Sequence, residues 1–247
     1  MGLHATKGND GGSGSCPGDA PHDTGVTMNS HPPHSASERV AERRAETAEV
    51  AGSMPEIRSI CVYCGSSARV ADSYKEAASL LGSRIGGRGL QLVYGGGRVG
   101  LMGIVADATL KAGGSVVGII PEHIQVLEVE HTGITELHVV DSMHTRKRMM
   151  AERSDAFVVL PGGFGTMDET FEVLTWRQLG LHDKPIVLLD VDGYWQPLIA
   201  FIDHMIAEGF ARPEHRKLYR VVATVDDVFE ALAAAPEPTV APQAKWM

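Results

Sequence analysis

Short apolar runs that alternate with helix-length segments constrain this chain more than any other feature. Residues 57–63, 90–94, 115–120, 136–140, 157–160, 185–189 and 218–223 read as strands. Several are rich in Val, Ile and Leu without strict polar alternation, the mark of strands buried on both faces of a parallel sheet. Helical segments follow at residues 101–112, 142–153, 166–179, 195–208 and 225–235, and Asp72 is placed to cap a helix that reaches about Gly86. Residues 122–134 read as irregular and belong at the sheet's edge. The pattern predicts an α/β fold: a doubly wound, mostly parallel sheet with helices on both faces. In such folds ligands bind beyond the carboxyl ends of the strands, where strand order reverses.

Three glycine-containing turns follow predicted strands. The first holds Gly65 and Ser66, the second runs from Gly95 through Gly96 and Gly97 to Gly100, and the third holds Gly162, Gly163, Phe164, Gly165 and Thr166. Glycine lets backbone N–H groups approach a ligand, and a helix N-terminus attracts an anion. In the third turn a carboxylate, Glu169, follows about one helical turn into the helix. That suggests a phosphate site with chemistry beside it. The same residues also read as a capping box, Thr166-x-x-Glu169, in which Glu169 would only tie down the helix start. The second turn has the spacing Gly95-x-Gly97-x-x-Gly100 of a dinucleotide fingerprint, but a lone match is weak. The acid about twenty positions on, Glu122, follows Pro121 instead of ending a strand. No GxxxxGK[ST] loop is present.

The 247 residues carry a formal net charge of -9, which disfavours a general nucleic-acid binder. No apolar run reaches the length of a membrane span, and the N-terminus has no signal-peptide core. Residues 1–55, rich in Gly, Ser, Pro and charged side chains, are expected to be a disordered extension, with a charged helix at residues 37–50. Residues 56–235 are expected to form one domain, and residues 236–247 a loose tail. Three cysteines fit a reducing, cytoplasmic setting. Cys61-Val62-Tyr63-Cys64 closes an apolar strand and reads as two small core residues better than as a redox or metal pair. The histidines make no short-spaced ligand set, so no metal is called for.

Met143-His144-Thr145-Arg146-Lys147-Arg148 puts three adjacent cations near a helix start, where the dipole disfavours them. Asp141 and Glu152 balance them only in part. A bound anion would offset that placement, and Arg146 can grip phosphate or carboxylate with two N–H groups.

Three segments together resemble the LOG family, the cytokinin riboside 5'-monophosphate phosphoribohydrolases often mislabelled lysine decarboxylases. They are Gly95-Gly96-Gly97-Arg98-Val99-Gly100-Leu101-Met102-Gly103, Met143-His144-Thr145-Arg146-Lys147 and Pro161-Gly162-Gly163-Phe164-Gly165-Thr166-Met167-Asp168-Glu169. Thr175-Trp176-Arg177-Gln178-Leu179-Gly180 and Leu189-Asp190-Val191-Asp192-Gly193-Tyr194 fit as well. The resemblance spans about residues 57–235. It departs at Asp168, where many relatives carry Glu, and at Arg148, where a small residue is common.

The resemblance implies a Rossmann-like domain, a homodimer and an active site near the subunit interface, with no cofactor. The implied reaction cleaves the N-glycosidic bond of an adenine-type nucleoside 5'-monophosphate to free base and ribose 5-phosphate. It implies Arg146 and Glu169 as the catalytic pair and Lys147 beside the substrate. Gly163, Gly165 and Thr166 would hold the phosphate, and Gly162, Phe164, Met167 and Asp168 of the same turn would also contact substrate. Gly65, Ser66, Gly96, Gly97, Glu128 and Thr175 resemble further substrate-contact positions. Cleaving a ribosyl–purine bond develops positive charge on the sugar. Glu169 can stabilise that charge and orient or deprotonate water. Arg146 is too weak an acid to donate a proton at neutral pH, so its work is to fix substrate or Glu169. A broader AMP-type nucleosidase and a non-enzymatic nucleotide carrier are the alternatives. Lysine decarboxylation requires a Schiff-base lysine, and only Lys147 lies in a candidate site.

Overall fold

The strands owe their place to burial. In the computed structural model, which describes residues 56–125 and 131–234, β1 (Ser59–Tyr63), β5 (Ala156–Val159) and β6 (Ile186–Leu189) are buried along their whole length. Beside them lie β2 (Gln91–Tyr94) and β3 (Ser115–Pro121), with β4 (Glu136–Val140) and β7 (Arg220–Val222) at the more exposed edges. The sheet order is β4-β3-β2-β1-β5-β6-β7, and every pairing is parallel. This is the doubly wound sheet expected from the sequence.

From β1 at the centre, the chain winds outward through β2, β3 and β4, then returns to place β5 against β1. Strand order therefore reverses between β1 and β5, and a crevice must open beyond their carboxyl ends. Alternate side chains feed two cores. On one face Ile60, Val62 and Val158 pack with α1 (Asp72–Gly87), α2 (Leu101–Lys111) and α7 (Val225–Ala233). On the other, Cys61, Tyr63 and Phe157 pack with α4 (Met143–Glu152), α5 (Phe164–Gln178) and α6 (Gln196–Ala207). Cys61 and Cys64 are both free and buried, and they belong to opposite cores. The reading of them as small core residues holds.

Two local expectations need correction. Ala71, not Asp72, is the N-cap of α1 and makes no side-chain cap. Asp72 is the first helical residue, and its carboxylate accepts from Lys75 Nζ at 2.9 Å. Negative charge in the first turn still favours the helix dipole. Residues 122–134 are not wholly irregular, because Glu122–Gln125 forms one helical turn, α3. The proposed extension at 1–55, its helix at 37–50, the tail at 236–247 and Glu128 lie outside the described residues. No described helix is long and apolar enough to cross a membrane.

At the amino end of the sheet, Asp155 ties β5 to β1. Its Oδ2 accepts from the backbone N–H of Arg58 and of Ser59 and from the Ser59 hydroxyl, each at 2.9 Å. Partial burial would raise its pKa, but these donors outweigh burial and lower it below the usual value. Replacing Asp155 with Ala is expected to cost about 2 kcal/mol in urea unfolding. Activity per folded molecule should not change, since the site lies at the opposite end of the strands. The Asp155 contribution is fully present above the ordinary carboxylate pKa and is lost as pH falls through the lowered native value. The difference between wild type and D155A should therefore shrink in acid.

Candidate active site

A crevice of about 210 Å³ opens at the β1–β5 switch point. The end of β1 supplies Val62 and, just beyond, Cys64, Gly65 and Ser66. Gly95 follows β2, Met102 comes from α2, and Met143 and Arg146 come from α4. The start of α5 contributes Gly163, Phe164, Gly165, Thr166 and Glu169. The turns after β1 and β5 are joined directly, with the Gly65 N–H donating to the Pro161 carbonyl at 3.0 Å.

Helix α5 begins at Phe164, two residues before the predicted start, with Gly163 as its N-cap and no side-chain cap. The first N–H groups of a helix have no intrahelical acceptor. Here the residues that carry them, Phe164 and Gly165, line the crevice together with the N-cap Gly163. The same boundary removes the capping-box reading. Thr166 is inside the helix and Glu169 is in its second turn, so neither occupies its place in the box. The Thr166 side chain is buried beneath the turn, packed where a side chain at Gly162 would otherwise sit.

Arg146 and Glu169 are each more than nine-tenths buried. Arg146 Nη2 lies 3.8 Å from Glu169 Oε1 and donates to the Gly95 carbonyl at 3.2 Å. Its Nε is buried without a hydrogen-bond partner. The cation cluster seen in sequence is resolved by tertiary contacts. Arg146 turns into the crevice, while Arg148 is exposed and stands 3.9 Å from Glu152. Lys147 Nζ bridges to Asp168 at 3.0 Å and to Glu172 at 3.2 Å, both on α5. That bridge joins α4 to α5 alongside the Arg146–Glu169 contact.

Several expected contact residues are therefore not part of the crevice wall. Lys147 and Asp168 hold each other, Met167 packs against the core below, and Thr175 is exposed six residues along α5 from Glu169. Gly96 and Gly97 are buried behind Gly95, with the Gly96 carbonyl taken by the His131 N–H at 3.1 Å. His144 is exposed outside the crevice. Conversely, Cys64, Met102 and Met143 line the wall without having been singled out for it. Burial, and then the nearby Glu169 charge, push the Cys64 thiol up, which leaves it neutral and a poor nucleophile.

The lysines do not fit pyridoxal chemistry. Among the described residues, no lysine lines the crevice. Burial opposes the charge on Lys147, but its bonds to Asp168 and Glu172 outweigh burial and raise its pKa. A Schiff-base lysine needs the reverse. Among the described residues, no group of three or more His, Cys, Asp and Glu side chains is placed to hold a metal ion.

Residues 102–232 match the family model described as "possible lysine decarboxylase". A cytokinin riboside 5'-monophosphate phosphoribohydrolase of Rhodococcoides fascians is 49% identical over 185 residues, covering 74% of this chain and 92% of that protein. LOG3 of Arabidopsis thaliana, which bears the same enzyme name, is 46% identical over 175 residues, covering 71% of this chain and 81% of its own. Among solved structures, the molybdenum cofactor carrier protein of Chlamydomonas reinhardtii superposes with a TM-score of 0.55 at 25% identity, covering 71% of this chain and 98% of that one. With a family model matched over more than half its length and relatives near half identical, the chain belongs to the LOG-type family, whose members named here are cytokinin riboside 5'-monophosphate phosphoribohydrolases.

Proposed function

We propose that this protein hydrolyses the N-glycosidic bond of cytokinin riboside 5'-monophosphates, releasing the free N6-substituted base and ribose 5-phosphate. The observation that carries this reading is a buried carboxylate, Glu169, 3.8 Å from Arg146 and in the same crevice as the uncapped start of α5. The phosphate sits at that helix start, held by Gly163, Gly165 and Thr166, with Gly65 and Ser66 opposite. Fixing the remote phosphate aligns the bond to be broken. Glu169 then stabilises the oxocarbenium-like sugar and orients or deprotonates the attacking water. Arg146, permanently charged, positions substrate and carboxylate. Glu128 and Thr175 stay in the proposal as substrate contacts implied by the resemblance, while Lys147 acts by holding α4 to α5.

Homodimerisation and a cytoplasmic setting belong to the same proposal. Exposed Phe201 on α6 and Phe210 just after it support the first, and two free buried cysteines support the second. Sedimentation equilibrium at twice the chain mass is the expected result.

A carrier that binds a nucleotide without cleaving it is the second reading, favoured by the likeness to a molybdenum cofactor carrier protein. One experiment separates the possibilities: purified protein is offered N6-isopentenyl-AMP, AMP, the matching nucleosides and other nucleoside monophosphates, and free base is read by chromatography. Base should appear only from 5'-monophosphates, fastest from the isopentenyl form. Equal rates with AMP would make the enzyme a broader nucleosidase. No base from any of them, with tight binding retained, would replace the enzyme by the carrier.

A further inference from the structure

The turn after β6, Val191–Gly193, is bent in an unusual way. Asp192 has φ 53, the only positive value at a non-glycine residue among the described residues, and Gly193 follows with φ 71. Such backbone persists only where its surroundings over-determine it. Here the Asp190 carboxylate accepts from the Trp195 N–H at 2.7 Å and also from the Gln196 side-chain amide. Trp195 is itself buried.

What this turn delivers is Tyr194. Its ring meets Tyr74 edge-on at 5.7 Å and Trp195 edge-on at 4.9 Å. Its hydroxyl donates to the Gly162 carbonyl at 2.6 Å, across 32 residues of sequence. Tyr194, Tyr74, Leu101, Pro161 and Gly162 line a second pocket of about 260 Å³ that shares Gly65, Ser66 and Gly163 with the crevice.

The Gly162 carbonyl and the Gly163 N–H belong to one planar peptide, in which they point in opposite directions. The carbonyl is held from the Tyr194 side, while Gly163 lines the crevice and caps α5. Gly162 and Gly163 have no side chains to fix their own dihedrals, and consecutive glycines are the most pliant backbone available. A hydrogen bond to the Gly162 carbonyl therefore sets the direction of the Gly163 N–H and the entry into α5.

We infer that Tyr194 is a positioning residue for the phosphate end of the substrate, acting through the Gly162–Gly163 peptide. This rests on the proposed placement of the 5'-phosphate at the start of α5. The hydroxyl is engaged by the Gly162 carbonyl and not by the reacting bond, so its loss should weaken phosphate binding more than it slows the chemical step.

The test is steady-state kinetics on N6-isopentenyl-AMP with Tyr194→Phe and Tyr194→Leu, joined to calorimetric binding of ribose 5-phosphate. Y194F should raise KM and the ribose 5-phosphate Kd by roughly five- to ten-fold, the scale of one lost hydrogen bond, with kcat within about two-fold of wild type. Its thermal midpoint should stay near wild type because the ring remains. If Y194F matches wild type while Y194L is impaired, the ring only packs and the inference fails, with the proposed function intact. A Y194F defect confined to kcat, with phosphate binding unchanged, would overturn it as well. A wild type that neither cleaves the nucleotide nor binds ribose 5-phosphate would remove the functional reading itself, and the inference with it.

Discussion

Replacing Glu169 with Gln is expected to lower kcat for nucleotide cleavage by at least about a hundredfold, the scale set by removing a charged or proton-transferring group from a transition state. Nucleotide binding should stay near wild type. Gln keeps the size of Glu and its ability to hydrogen-bond, and loses only the charge. Because α5 starts at Phe164 with Gly163 as N-cap, Glu169 has no capping work to lose. A structural explanation of a dead variant would then have to come from Arg146, left as a buried cation without its partner. That cost is separable, since it would appear as a lower thermal midpoint that bound nucleotide restores. The measurements are single-turnover release of base and calorimetric titration with N6-isopentenyl-AMP. If E169Q turns over within tenfold of wild type, Glu169 is not the group that meets the developing sugar charge.

The fold was legible because its strands are short, apolar and separated by helices. Burial on both faces leaves no other use for runs such as Phe157-Val158-Val159. The crevice was legible for the same reason, since the glycine turns at 65, 95 and 162 each follow a strand that the topology brings to the switch point. The helix start was misread because Thr166-x-x-Glu169 has the chemistry of a capping box, while Phe164 and Gly165 are unremarkable openers. Only the backbone shows that the helix has already begun. Lys147 and Asp168 are substrate neighbours only by what the family resemblance implies. A helix turns successive side chains about 100° apart, so neighbours in sequence face different partners. Here Lys147 and Asp168 clasp the two helices together while Arg146 and Glu169 face the crevice. Tyr194 could not be tied to Gly162 from the chain alone, because Asp192-Gly193 signals a turn but not where that turn aims the next side chain.

Gly95→Ala should be nearly as damaging as losing Arg146, although a methyl group is all it adds. Gly95 does not adopt a positive φ, so its backbone tolerates alanine. The constraint is space. A Cβ at Gly95 would run directly into the Arg146 guanidinium, whose Nη2 donates to that residue's own carbonyl. The next atom it would meet is Met102 Sδ at 3.2 Å, which can yield. Arg146 must then swing away from both Gly95 and Glu169. We expect kcat/KM to fall by about a hundredfold or more, as when a preorganised charge is displaced from a transition state. The discriminating measurement is a double-mutant cycle. If the methyl acts only by displacing the guanidinium, Gly95→Ala on top of Arg146→Ala costs little more than Arg146→Ala alone. Full additivity of the two losses would mean that Gly95 matters for a reason other than Arg146, such as direct approach of the substrate to its backbone. Near-wild-type activity in the single G95A variant would show that Arg146 can work from another rotamer, and its contact with the Gly95 carbonyl would lose its place in the mechanism.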